Sequence, residues 1–267
     1  MLIIDAHIHL GGNRHTKCYP PERMLADLAE AGADGAVVFA FPEDMYRKTD
    51  TPEARAAANE YVLQISRLHP HVYPFYFVWT DYVIPDDLSE YCGVKWHRHH
   101  DEPRYDYADP RCERFIAAMA ERKMPVTLEE EFDETAAFVE RVTGTGITVI
   151  IPHMGLLNGG YGRMARFFEC GHVAFDTSCA DPQAIERVLA EVGPERVLFG
   201  SDVSGTSEPF FNFPKVERAK LEGLGITPEN QPLICGGNVL RLLSRTPAGG
   251  VGGADTWVRP YTPSGEG

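Results

Sequence analysis

The chain reads as an α/β protein of the (β/α)8 TIM-barrel class, and three observations predict this. Eight short runs rich in β-branched and aromatic residues recur along its 267 residues, and most are followed by a charged, alanine- and leucine-rich stretch with helical spacing. The runs are apolar almost throughout, as in parallel strands covered on both faces, and eight such units fit a barrel of about 250 residues. No GxGxxG turn follows the first run, which counts against a doubly wound open sheet.

In order, the predicted strands are LIIDAHIH near Ile3, GAVVFAF ending at Phe41, VYPFYFVW ending at Trp79, GVKWH ending at His97, PVTLEEE ending at Glu131, TVIIPH ending at His153, HVAFDTS ending at Ser178 and RVLFGSD ending at Asp202. Between them, PPERMLADLAEAGA opens on prolines and has Gly32 near its end, and TPEARAAANEYVLQISRLH is led by Thr51 and Pro52, the expected punctuation of helices. RCERFIAAMAERK, DETAAFVERV and DPQAIERVLAEVG read the same way. The barrel is expected over residues 1–243 as a single domain. Residues 244–267, rich in glycine and proline, are expected to form a flexible tail outside it, where Trp257 and Tyr261 could anchor it to the barrel or to a second subunit.

Composition narrows the partners. A hydrophobic share of 43% supports a full core. A net charge of -14 and a pI near 5.1 argue against a nucleic-acid partner, which needs a concentrated cationic surface. No apolar stretch approaches the roughly 20 residues of a membrane span, and no signal-like segment opens the chain, so a cytoplasmic protein with no membrane contact is expected. The six cysteines (Cys18, Cys92, Cys112, Cys170, Cys179 and Cys235) form no CxxC pair; their even number admits disulfides, but the spacing suits reduced thiols.

Side chains two apart on a strand share a face, so His7 and His9 point the same way, and Asp5 has the same parity. The HxH spacing recurs at His69 and His71 and at His97 and His99, so location must decide between them. Active sites of such barrels lie at the carboxyl ends of the strands. His69 and His71 precede the third strand and fall at the other end, where surface or capping roles suffice. His7 and His9, by contrast, end the first strand. Strand six delivers His153 to the same rim and strand eight delivers Asp202. On strand five, Glu129 and Glu131 share one face and Glu130 takes the other. Each has a blander explanation, an N-cap for Asp202, a satisfied core histidine for His153, a solvated face for the glutamates. Their recurrence after apolar strands tips the balance, because charges in a barrel mouth are costly unless paired or bound to metal. A mixed nitrogen and oxygen set of this kind holds zinc, manganese or iron.

The motifs DAHIHL, PVTLEEE before IIPHMG, FDTS, LFGSD and the closing GGNVLRLL, taken in order from Ile4 to about Leu243, resemble the amidohydrolase superfamily. Within it they are most similar to the amidohydrolase-related group that includes aminocarboxymuconate semialdehyde decarboxylase-like enzymes. The resemblance implies that His7 and His9 bind a metal, that Asp202 binds it and handles a proton, and that His153 is a ligand or polarises substrate. Where the family usually has a histidine on strand five, this chain has Glu129, either a ligand or a base or substrate contact. Zinc is the expected ion, and a carboxylate ligand would shift preference toward manganese or magnesium. In some superfamily members a strand-four lysine is carboxylated and bridges two metals, though not usually in this group. Lys95 and His97 share a face at the rim and, with His99, are expected to contact an anionic or polar substrate. Asn158 and Tyr161, in the glycine-rich loop after strand six, are further substrate candidates.

The function implied is metal-dependent hydrolysis of a small polar or carboxylated molecule. The ion would lower the pKa of its water to roughly 7. Asp202 would take the water's proton and return it to the leaving group, and His153 would steady the developing oxyanion or relay the proton; Asp5 would either orient a ligand histidine or make a structural hydrogen bond. A non-oxidative decarboxylase using the same ligands is the alternative, and a non-catalytic metal-binding barrel is the remote one. A homodimer is the expected assembly.

Overall fold

In the structure, a computed structural model, residues 2–11, 19–41, 51–98, 103–203 and 211–244 are described. The tail, with Trp257 and Tyr261, and His99 lie outside them. Eight parallel strands follow one another in chain order: β1 (Ile4–His9), β2 (Gly35–Phe39), β3 (Val72–Phe77), β4 (Gly93–His97), β5 (Val126–Glu129), β6 (Val149–Ile151), β7 (Val173–Asp176) and β8 (Val197–Leu198). The last strand returns to the first through Ala6 N–H to Phe199 O (2.8 Å), Asp202 N–H to His7 O (2.8 Å) and a parallel bridge between Ile8 and Val203. The (β/α)8 barrel expected from the eight apolar runs is the fold observed.

The helices start where side-chain acceptors precede proline. Helix α2 (Pro52–Leu68) follows Thr51, α3 (Pro110–Arg122) follows Asp109 and α5 (Pro182–Val192) follows Asp181; each capping side chain accepts a backbone N–H from the first turn. Helix α1 (Pro21–Ala31) stops at Gly32, whose left-handed φ of 65° closes the helix end. Helices α4 (Phe132–Arg141), α6 (Phe213–Glu222) and α7 (Asn238–Leu243) complete the described set. Val239, Leu242 and Leu243 of α7 join Ile4, Ala6, Val37, Phe39, Phe75 and Leu198 in one buried apolar cluster that reaches up to Phe39, whose ring lies under Lys95 Nζ at 4.8 Å. Among the described residues no helix is long and apolar enough to cross a membrane.

Four local features depart from the regular strands expected. The β1–β2 register shifts between Asp5 and Ile8, so Ala6 and His7 together oppose Val37. This bulge breaks the parity assumed for Asp5: Ile4 and Ala6 belong to the interior cluster, and the Asp5 carboxylate accepts the backbone N–H of His7 and of Ser201, both at 3.0 Å. Asp5 therefore ties β1 to the chain after β8 and orients no imidazole ring. Strand β6 ends at Ile151, and His153 and Met154 turn through left-handed conformations (φ 55° and 51°). Strand β8 ends at Leu198, and Asp202 also has positive φ (54°). Glu131 does not share the face of Glu129. It precedes α4 and pairs with Arg98 at 3.3 Å, while Glu130, on the opposite face from Glu129 as expected, is buried against Arg98 (2.8 Å) and Tyr107 (3.2 Å).

Candidate metal centre

At the carboxyl ends of the strands the structure brings together His7, His9, Lys95, His97, Glu129, His153 and Asp202. All but Asp202 are buried. His7 Nε2 and His9 Nε2 lie 3.5 and 3.4 Å from Asp202 Oδ1. Glu129 faces three nitrogens: Lys95 Nζ at 3.1 Å, His97 Nε2 at 3.3 Å and His153 Nε2 at 3.5 Å. Lys95 Nζ also lies 3.3 Å from His7 Nε2 and over the ring of Phe39 at 4.8 Å. Two ligand trios have the compactness of a metal site, His7–His9–Asp202 and His7–Glu129–His153, and they share His7.

The donor chemistry fits a divalent ion. A neutral imidazole ligates through the nitrogen that carries no proton, and the partner of the other nitrogen decides which that is. His9 Nδ1 donates to Ala40 O (2.9 Å), His153 Nδ1 to Ser178 O (2.9 Å) and His7 Nδ1 to Asp176 Oδ2 (2.8 Å). All three rings are thus pinned at the far side and present Nε2 to the mouth. Gly200 lets the chain after β8 pack closely behind His7, since a Cβ there would stand 3.0 Å from His7 Cβ.

Electrostatics divides the cluster. Burial pushes His9 down to about 4, against the pull of Asp202. Burial and the Lys95 charge also lower His7. Burial opposes a charge on His153 as well, yet the adjacent Glu129, with Asp202 and Asp176, lifts it to about 9. The Glu129 carboxyl is held well below the usual carboxylate range: burial works against its charge, and His97, Lys95 and His153 more than offset that. For Asp202, burial is likewise outweighed by His9, His7 and His153, and its carboxyl stays ionised.

Asn158 and Tyr161 are not brought into the cluster. The Asn158 amide donates to Leu128 O and Thr135 Oγ1, both at 3.0 Å, and the Tyr161 hydroxyl accepts the Asp181 N–H at 3.0 Å. Two residues were missed by reading the sequence for rim histidines and glutamates. Asp176, at the end of β7, takes His7 Nδ1 on one oxygen and the backbone N–H of His153 (3.1 Å) and Ser178 (3.0 Å) on the other. Ser178 adds its hydroxyl to the same oxygen and stands 3.0 Å from His153 Nδ1. The available signal was the motif FDTS itself, a carboxylate closing an otherwise apolar strand.

An amidohydrolase family model matches residues 4–245, and the chain belongs to that family of enzymes. No curated protein matches the chain. Solved structures do. A putative 2-pyrone-4,6-dicarboxylic acid hydrolase from Pseudomonas putida is 18% identical with a TM-score of 0.71, covering 91% of this chain and 98% of that one. A 2,6-dihydroxybenzoate decarboxylase from Rhizobium is 16% identical with a TM-score of 0.68 over 91% and 98% of the two chains. An amidohydrolase from Burkholderia multivorans with bound zinc is 15% identical with a TM-score of 0.68 over 91% and 99%. At these identities the likeness is one of fold.

Proposed function

We propose that this amidohydrolase is a metal-dependent hydrolase of a small polar or carboxylated molecule, using a divalent ion, zinc first and manganese or magnesium next, held by His7, His9 and Asp202. One observation carries the reading: two imidazole Nε2 atoms converge on one carboxylate oxygen while both Nδ1 atoms are already committed to acceptors. The bound zinc of the Burkholderia amidohydrolase agrees with it. The ion supplies Lewis acidity, polarising a carbonyl and making water at the site more acidic.

The remaining work falls to side chains of the chain itself. Asp202, ionised and on the mouth side of both histidines, accepts the proton of the attacking water and returns it to the leaving group. Lys95 and His97, both held by Glu129, present N–H donors to a carboxylate or carbonyl oxygen of the substrate. His153 stands beside them as the donor for developing negative charge.

The same arrangement of donors favours a second reading. Three N–H bearing groups gathered around Glu129 are also what a decarboxylase needs to protonate the carbanion left by carbon dioxide, and the Rhizobium relative in fold is named as such an enzyme. The experiment is a chelator-stripped enzyme reloaded with zinc, manganese or magnesium and offered lactones, esters and amides of small carboxylic acids, alongside hydroxybenzoates, in water enriched in oxygen-18 and deuterium. Hydrolysis places solvent oxygen in the product carboxyl group, and activity returns with the metal. Carbon dioxide release with deuterium on carbon replaces it by the decarboxylase reading. Turnover that ignores the metal overturns both.

A further inference from the structure

We propose that Asp176 fixes the tautomer of His7, and that it thereby acts as a positioning residue that makes His7 Nε2 a metal donor. The inference rests on the proposal that a divalent ion binds in this mouth. Neutral imidazole has one protonated nitrogen, so His7 can ligate through Nε2 only when its proton sits on Nδ1. Two contacts on opposite sides of the ring agree on that form. Nδ1 meets the acceptor-only carboxylate of Asp176 at 2.8 Å, and Nε2 meets the donor-only ammonium of Lys95 at 3.3 Å. Asp202 Oδ1, at 3.5 Å from Nε2, is the more distant competitor.

The other oxygen of Asp176 gives the assignment a sharp test. Oδ1 accepts two backbone N–H groups, those of His153 and Ser178, and the Ser178 hydroxyl. An asparagine at this position would keep its carbonyl oxygen there, because an amide NH2 facing two N–H donors leaves all of them unsatisfied. Its NH2 would then point at His7 Nδ1 and demand a lone pair, driving the proton to Nε2. The fold around the left-handed His153 turn would retain its anchor, while His7 would present a proton to the metal site instead of an electron pair.

The experiment is a nitrogen-15 histidine spectrum of the chelator-treated protein, in which couplings across each ring report which nitrogen carries the proton. A His7→Gln protein identifies the His7 signals, and calorimetric titration with zinc follows. The parent is expected to show His7 protonated on Nδ1. Asp176→Asn is expected to show it protonated on Nε2, with near-ultraviolet dichroism unchanged and zinc affinity down by about 10- to 100-fold. A role confined to holding the loop would lower thermal stability and leave tautomer and affinity as they were, which would overturn the proposal. So would a parent spectrum with the proton on Nε2, a result that needs no substitution at Asp176 and decides the matter if Asp176→Asn does not fold. Should the tautomer switch as expected in a protein that takes up no zinc, the control by Asp176 stands and the metal reading alone falls.

Discussion

The two halves of the barrel mouth hold similar side chains in opposite electrical states. On the β1 and β8 side, His7 and His9 face Asp202, giving one negative charge and two imidazoles tied at Nδ1, with the Lys95 ammonium at the border, 3.3 Å from His7 Nε2. On the β4 to β6 side, Glu129 is surrounded by Lys95, His97 and His153, so its charge already has a built-in partner. A divalent ion entering the first half finds donors and a free negative charge. In the second it must displace or approach an ammonium, and at about 4 Å two positive charges repel by ~4 kcal/mol even at an effective dielectric of 20. The same types of ligand therefore differ in readiness, and the pairing of Lys95 with Glu129 makes the difference.

The largest expected effect separates the halves directly. Asp202→Ala and His9→Ala should lose zinc on purification and lower kcat/KM by roughly 10³-fold, since both the ion and the proton acceptor are affected. Glu129→Gln should keep its zinc and lose turnover through its donors. Elemental analysis beside kinetics reads this; zinc lost from Glu129→Gln and kept in Asp202→Ala would invert the comparison.

Lys95→Met tests the built-in cation. Removing one partner of a buried ion pair costs about 3–5 kcal/mol, so the urea midpoint of the metal-free protein should fall accordingly. With the ammonium gone, Glu129 and His153, the members of the second trio that do not also serve the first, become open to a cation. The variant is expected to take up a second equivalent of zinc and regain part of the lost stability. An unchanged stoichiometry would mean that Lys95 is not what keeps that half closed.

The halves should also answer pH with opposite signs once the metal is stripped. His9, pushed down to about 4 by burial, binds its proton less readily folded than unfolded. Its contribution is full above the unfolded value near 6.5 and is lost as pH falls toward 4, a change of about 3 kcal/mol. His153, lifted to about 9 by Glu129, contributes fully below 6.5 and loses the contribution as pH rises through 9, by a similar ~3 kcal/mol. Unfolding free energies across pH should peak between the two. His9→Gln should flatten the acid limb and His153→Gln the alkaline one; a variant that flattened the other limb would break the division.

Much of this arrangement was legible in the sequence, for a physical reason. Parallel strands buried on both faces leave continuous apolar runs, and the runs before His7, His97, Glu129 and His153 each mark a strand whose closing residues reach the mouth. The side-chain facing of Asp5 and Glu131 was not legible, because parity holds only along an unbroken strand. The bulge at Ala6 and His7 depends on the neighbouring β2, and Glu131 has already left β5 for the start of α4. Asp176 was hidden for a different reason. Its meaning lies in His7, 169 residues away in the chain, and no local spacing records that contact.

Two residues outside both halves supply the smallest effects and the control for the rest. Asn158 and Tyr161 were expected to touch substrate; in the structure the Asn158 NH2 donates to Leu128 and Thr135, and the Tyr161 hydroxyl accepts from Asp181. Asn158→Ala leaves a buried carbonyl without its donor and should cost about 1–3 kcal/mol, with zinc content unchanged. Tyr161→Phe removes one partly exposed hydrogen bond and should cost only ~0.5–1.5 kcal/mol. Neither should change KM, because neither group is free to turn toward the mouth without abandoning its partner. A rise in KM for Tyr161→Phe at unchanged stability would show that substrate competes for that hydroxyl, and would extend the working surface from the two halves of the mouth onto the loop after β6.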